Sequence, residues 1–317
     1  MRSTLIVILL LIAAVAKTVA QQVDPQFTNY IFNGLFINPA MAGIDNQTQV
    51  SAIYRHQYLG YAGTFDPGGA PVTQILSASV PMKALGGGLG IYLMNDQIGG
   101  GNTNREVQLS YAYQMTFGNN RLAIGVSGGL HNKVADSENY RPRDADDPAI
   151  PTGTVSQMQP DFGAGIYLYN PGFTLGLSTK HITQPTFGLE TPSATNQLGR
   201  NYYLTGSLLI GVSYTVDIEP MFIVKSDLTT VSPEAGALVT YVNKYWGGVN
   251  YRWDDAVSFL AGGTFLNNSL RVGYAFDYVY SGIDAKAPTS HELFVSYALP
   301  APRAGKKSII RTPRYRF

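Results

Sequence analysis

Residues 103–133, TNREVQLSYAYQMTFGNNRLAIGVSGGLHNK, confine the fold more than any other stretch. Val107, Leu109, Tyr111, Tyr113 and Met115 alternate with Gln108, Ser110, Ala112, Gln114 and Thr116, the period of two that sends successive side chains to opposite faces of a strand. Gly118, Asn119 and Asn120 supply a turn, after which Leu122, Ile124, Val126 and Leu130 alternate with Ala123, Gly125, Ser127, Gly129 and His131. Each arm is about ten to thirteen residues, beyond the usual five or six of a soluble strand and long enough to cross a bilayer when tilted. The stretch reads as one hairpin of a transmembrane β-barrel.

The same alternation and turn signals predict about fourteen strands, centred on Tyr54, Leu76, Ile91, Leu109, Ile124, Ile166, Leu175, Leu208, Phe222, Leu238, Val249, Leu260, Gly273 and Val295. Connections after even-numbered strands are tight, near residues 83–85, 118–120, 170–172, 215–216, 243–244 and 267–268. Those after odd-numbered strands are mostly longer, over 60–70, 95–102, 134–157, 181–199 and 280–290. Short periplasmic turns opposite longer outside loops are the asymmetry of outer-membrane barrels. The expected fold is all-β: a closed, antiparallel, up-and-down barrel over residues 47–299. Closure is required because hydrocarbon offers no partner to an open sheet edge. In-strand glycines (86, 87, 88, 90, 125, 128, 129, 163, 165, 262 and 263) are read as permitting the bends of the wall. Pro220 argues against a fully paired ninth strand.

Residues 1–20 have the order of a secretory signal peptide: Arg2, an apolar run over 5–16, then Thr18 and Ala20. The alternative, a membrane-anchoring helix, needs about 20 apolar residues. Residues 21–46 form a leader in which Phe27, Tyr30, Ile31 and Leu35 fall near helical spacing, with Thr28 as a cap and Asn38-Pro39 as a stop. The readings left open are a segment packed on the barrel mouth, a lumenal plug, or a docking segment whose Phe27, Tyr30, Phe32 and Phe36 meet a periplasmic partner. Residues 300–317 form a basic tail with Arg311, Arg314, Arg316 and a terminal Phe317, placed in the periplasm as a second candidate partner-binding segment.

Little in the chain points to chemistry. Cysteine is absent, which excludes disulfides, thiol catalysis and a lipidated cysteine. A net charge of +1 gives no electrostatic argument for nucleic acid. Asp144, Asp146 and Asp147 lack the glycine and distal glutamate of a calcium loop. His56, His131, His181 and His291 are scattered without metal-ligand spacing. No nucleophile-and-base motif is present, so neither an enzyme nor a cofactor is expected. Asp161, Glu234, Asp277 and Glu292 are expected to face a polar lumen with Arg55 and Arg271. Aromatic residues near strand ends, among them Tyr92, Tyr167, Tyr203, Tyr245, Trp246 and Trp253, are expected to form interfacial girdles.

Several phrases in order resemble one family: DPQFTNYIFNGLFINPAMAG in the leader, YRHQYLGYAGTFDPGGAPVTQILSASVP across the first two strands, GGGLGIYLMNDQIG, LSYAYQM, and YAFDYVYSGIDAKAPTSHELFVSYAL near the end. Together they resemble the PorP/SprF outer-membrane proteins, whose pattern often has tryptophan where Tyr58 stands. The resemblance implies a non-enzymatic component of the type IX secretion and gliding-motility apparatus of Bacteroidetes. Such a component would help to secrete or anchor a surface adhesin and would contact a peptidoglycan-associated periplasmic protein and other secretion components. It transfers no catalytic residue. The alternative from the fold alone is an outer-membrane pore or transporter for small or hydrophobic solutes.

Overall fold

The structure is a computed structural model, and it describes residues 24–45, 47–61, 69–99, 101–136, 153–188, 196–282 and 287–299. The segments expected to be a signal peptide and a basic tail, residues 1–20 and 300–317, lie outside these residues.

Fourteen strands form the wall: β1 (Gln49–His56), β2 (Val72–Met82), β3 (Gly87–Gly99), β4 (Asn102–Phe117), β5 (Asn120–Asp136), β6 (Thr154–Tyr169), β7 (Phe173–Lys180), β8 (Asn201–Leu208), β9 (Val216–Ser226), β10 (Val231–Tyr241), β11 (Tyr245–Arg252), β12 (Ala256–Phe265), β13 (Leu270–Val279) and β14 (Thr289–Ala298). Every neighbour in sequence is an antiparallel neighbour in space, and β1 pairs with β14 from Gln49↔Ala298 to His56↔His291, so the sheet closes. Each sequence-derived strand centre falls in its own strand. No helix among the described residues is long and apolar enough to cross a membrane.

The polarity of the wall is that of a protein dissolved in lipid. Val107, Leu109 and Tyr113 are 43, 61 and 49 % exposed, whereas Gln108, Ser110 and Ala112 on the opposite face are 1, 3 and 0 % exposed. The greasy face therefore looks outward and the polar face inward, the alternation that a bilayer outside and a polar lumen impose.

The longest connections, over 57–71, 137–153, 181–200 and 280–288, share one end of the barrel. By the asymmetry of such barrels the short-turn end is periplasmic. One expected loop is corrected: residues 95–102 are mostly strand, because β3 and β4 run on to Gly99 and Asn102. These two strands, with β5 and β6, make that side of the wall taller than the rest. Strand prolines sit where a ladder has stopped. Pro81 lies beyond the end of β1, and Pro160 lies beyond the last pair to β7. Pro220 falls in a break in the β8–β9 ladder, and Pro233 lies just past the end of the β10–β11 ladder. Each can lack an N–H at no cost to pairing on that side.

Residues 24–45 fill the lumen. They are not the amphipathic helix that their spacing suggests but three single turns, a 3-10 turn at Tyr30–Phe32, an α turn at Gly34–Ile37 and a 3-10 turn at Pro39–Met41. Thr28 caps none of them; its N–H and hydroxyl are taken by wall carboxylates. Isolated helices this short have no stability of their own, so wall contacts set the path. At mid-height Phe27, Leu35, Phe36 and Ile37 pack against Ile53, Ile75, Tyr92, Tyr203 and Phe294.

Nearer the short turns the plug backbone lies directly on the wall, over glycines. A Cβ on Gly88 would stand 2.4 Å from the Gly43 Cα, one on Gly125 2.3 Å from the Ala40 nitrogen, and one on Gly165 2.1 Å from the Asn38 side-chain oxygen. These glycines, read from sequence as bend points, are the seat of the plug.

Candidate functional site

The notable chemistry is the pair of ionic clusters that hold the plug in the long-loop half of the lumen. The first joins both ends of the wall. Arg55 on β1 donates to Asp277 on β13 at 2.6 Å and to Glu292 on β14 at 3.0 Å. Glu292 also accepts the backbone N–H groups of Thr28 and Asn29 at 2.9 and 2.8 Å, and Asp277 accepts the Thr28 hydroxyl at 2.7 Å. Arg252 on β11 donates to Glu234 on β10 at 2.9 Å and to Asp255 at 3.0 Å. Buried ions of this kind persist only when paired and hydrogen-bonded.

The second cluster lies across the lumen. Asp24 of the plug meets Lys180 at 3.5 Å and His181 Nε2 at 3.1 Å; Lys180 also donates to Glu106 at 3.3 Å, and His181 Nδ1 lies 2.9 Å from Asp161. Tyr203 donates to Asp24, Tyr92 to Glu106 at 2.6 Å, and Gln108 to Asp161 at 2.8 Å. Both ring nitrogens of His181 face carboxylates, an arrangement that favours the protonated ring. Burial alone would lower its pKa, but the charge of Asp24 and hydrogen bonds to Asp161 and Asp24 push it up to about 9. Burial would likewise raise Asp24, yet the charges of Lys180 and His181 hold it well below the usual carboxylate range. Over this cluster the loop after β7 folds inward, with a two-residue ladder between Thr186–Phe187 and Asn196–Gln197, and packs Phe187 and Leu198 on Ala135.

The other half of the lumen is filled less completely. A cavity of about 510 Å³ lies at the short-turn end, lined by Phe32, Met41, Glu219, Lys244, Trp246 and Arg271 among others.

Phe27, Tyr30 and Phe36 are 2, 5 and 2 % exposed inside the barrel, so their apolar surface is used in holding the plug and is not offered to a partner in this structure. Phe32 differs: half-buried, it stacks on Phe294 with centroids 5.3 Å apart, packs on Trp246 at 4.6 Å and fronts the cavity. Arg311, Arg314, Arg316 and Phe317 lie outside the described residues. Of the expected lumenal charges, Arg55, Asp161, Glu234, Asp277, Glu292 and Arg271 all face inward as foreseen, with Arg271 outside the two clusters, on the cavity, its guanidinium 5.3 Å from the Phe32 ring. Sequence reasoning missed Asp24, Glu106, Lys180 and Arg252. It also assigned Tyr92, Tyr167, Tyr203 and Trp246 to the girdles, whereas they are 2, 8, 3 and 7 % exposed and point into the lumen. Tyr245 and Trp253, 48 and 66 % exposed, do face outward. The histidines were read as scattered, but the His131 and His181 rings are 5.5 Å apart.

Among solved structures the chain is similar to the outer membrane protein Omp33 of Acinetobacter baumannii (7 % identity, 80 % of this chain and 98 % of that one, TM-score 0.45). It is also similar to the CymD monoaromatic hydrocarbon channel (13 %, 84 % and 91 %, 0.46) and to the toluene transporter TodX of P. putida (12 %, 82 % and 92 %, 0.42). No curated protein matches. A family model described as type IX secretion system membrane protein PorP/SprF matches residues 19–297, nearly the whole chain. With its lipid-facing wall and closed sheet, this outer-membrane β-barrel belongs to the PorP/SprF family of type IX secretion system membrane proteins.

Proposed function

We propose that the barrel is a sealed, non-enzymatic subunit of the type IX machinery that helps to secrete or anchor a cell-surface protein such as an adhesin, in cells where this apparatus also serves gliding. The observation that carries this reading is the plug: residues 24–45 fill much of the lumen and are fixed to the wall by the buried Asp24–Lys180 pair, by hydrogen bonds to Glu292 and Asp277, and by backbone seated on glycine. A barrel so filled is suited to scaffolding rather than to passing solute. In this reading cargo meets the long-loop end, at the loops over 134–157 and 181–199. Periplasmic components, a peptidoglycan-associated protein among them, meet the short-turn end, at the cavity fronted by Phe32 and at the basic tail with Arg311, Arg314, Arg316 and Phe317.

The test is gentle extraction from membranes, affinity recovery, and single-channel recording of the purified barrel. Co-recovery of secretion components, their loss on deleting residues 300–317, and an electrically silent barrel are the expected results. Steady conductance with specific solute uptake, and no secretion component recovered, would instead establish the pore or transporter reading, which the cavity at the short-turn end favours.

A further inference from the structure

His131 is 2 % exposed, yet neither of its ring nitrogens has a hydrogen-bond partner among the described residues. Burying an imidazole with both nitrogens unmet is costly, and such a group calls for an explanation. What surrounds it is a set of metal donors. One ring nitrogen of His131, one of His181 and a carboxylate oxygen of Glu106 lie within 4.8 Å of one another. Strand pairing builds this arrangement, since Glu106 and His131 are direct partners across β4 and β5.

We propose that Glu106, His131 and His181, with Asp24 of the plug as fourth donor, form a site for one divalent transition-metal ion of the zinc type inside the lumen. Two imidazoles select such an ion over magnesium or calcium. Donors of a tetrahedral zinc ion stand about 3.3 Å apart. The Asp24 oxygen is already 3.1 Å from His181 Nε2, and an ion would draw together the Glu106, His131 and His181 donors, which lie within 4.8 Å of one another without it. In the bound form His181 keeps its Nδ1–H on Asp161 and turns Nε2 to the ion, the carboxylate-histidine-metal relay that fixes a ligand's tautomer.

Charge argues in the same direction. Asp24, Glu106 and Asp161 bring three buried carboxylates together around Lys180 and the His181 ring, a surplus of acidic groups over fixed cations that favours a further cation. The ion would fasten the plug to β4, β5 and the loop after β7 at a single point.

The test uses the mature full-length barrel in detergent without a polyhistidine tag, stripped with chelator and titrated with Co²⁺, with Zn²⁺ as competitor and metal content measured by mass spectrometry. One ion per chain, with an intense four-coordinate Co²⁺ spectrum that Zn²⁺ abolishes, is expected. His131→Ala should weaken binding at least 100-fold. It removes no hydrogen bond, so the metal-free barrel should stay folded; His131→Gln, closer in volume, serves if it does not. Asp161→Asn should cost roughly 10- to 100-fold, the usual effect of losing an outer-shell partner. His56 and His291, paired across β1 and β14, are the rival surface donors, and His291→Ala should change nothing. A folded wild-type barrel that retains no ion, undiminished affinity in both His131 variants, or loss of binding in His291→Ala would overturn the proposal.

Discussion

Replacing Gly125 with alanine tests whether the plug depends on its glycine seat. The added Cβ would stand 2.3 Å from the Ala40 nitrogen and 2.4 Å from its Cα, both backbone atoms, where 3.4–4 Å is ordinary contact. Relief requires the plug to retreat by about 1 Å, and there it is tied: the Ala40 N–H donates to the Asn38 side chain at 2.9 Å, which donates to the Ile166 carbonyl at 3.0 Å. Overpacking typically costs about 1–3 kcal/mol. One hydrogen bond lost adds about 1 kcal/mol. The seated state should therefore weaken by about 2–4 kcal/mol, roughly 30- to 700-fold in the balance between seated and unseated plug. The chain has no cysteine, so Leu35→Cys, placed where the native side chain is 7 % exposed, reports plug opening through its maleimide labelling rate without background. Gly128→Ala is the control, since its Cβ would meet only the Phe162 ring at 3.3 Å. Labelling that is no faster in Gly125→Ala than in Gly128→Ala would refute the idea that the seat holds the plug.

Three further outcomes are expected. Arg55→Met leaves Asp277 and Glu292 buried without their shared cation, at a cost of about 3–5 kcal/mol, and should sharply lower the temperature at which the barrel loses its heat-modifiable gel mobility; an unchanged transition would mean that the pair adds nothing. Leu109→Lys on the lipid face should cost about 2–4 kcal/mol and impair folding into vesicles, and folding as efficient as wild type would disprove the outward assignment of that face. In the turn after β9, burial slightly opposes ionisation of Asp227, but the N–H groups of Thr230 and Thr229 and the Thr230 hydroxyl donate to its carboxylate and hold its pKa below the usual value. The stabilisation is therefore present above about pH 4 and fades as pH falls through the depressed value, so protection of the Thr230 amide against exchange should drop in acid. Asp227→Asn, which cannot titrate, should show no such step.

The wall was legible because a period of two with a greasy outward face survives in every strand, and all fourteen centres stand where alternation put them. Parity would also have corrected the girdle assignments: Ile91 and Leu93 face outward, which obliges Tyr92 between them to face in. The plug was not legible as a fold, since three isolated turns owe their geometry to glycines and carboxylates far along the chain. Nor were the lumenal partnerships. Arg55 and Asp277 are 222 residues apart, and only the closing register of β1 on β14 brings them together. His131 and His181 were invisible as neighbours for the same reason, because a loop, the strands β6 and β7 and the turn between them separate the two in sequence.

Glu292 rides on β14, the strand that closes the wall, 264 residues after Thr28, whose amide it receives. Until that strand is in place, the earliest part of the plug has no acceptor for two of its amides, and Arg55 lacks one of its two carboxylates. The stitch that joins the two margins of the sheet is thus the same one that pins the plug. A cylinder sewn shut with its lumen vacant would leave these groups without the hydrogen bonds of Thr28 and Asn29, so filling and closing draw on the same side chains.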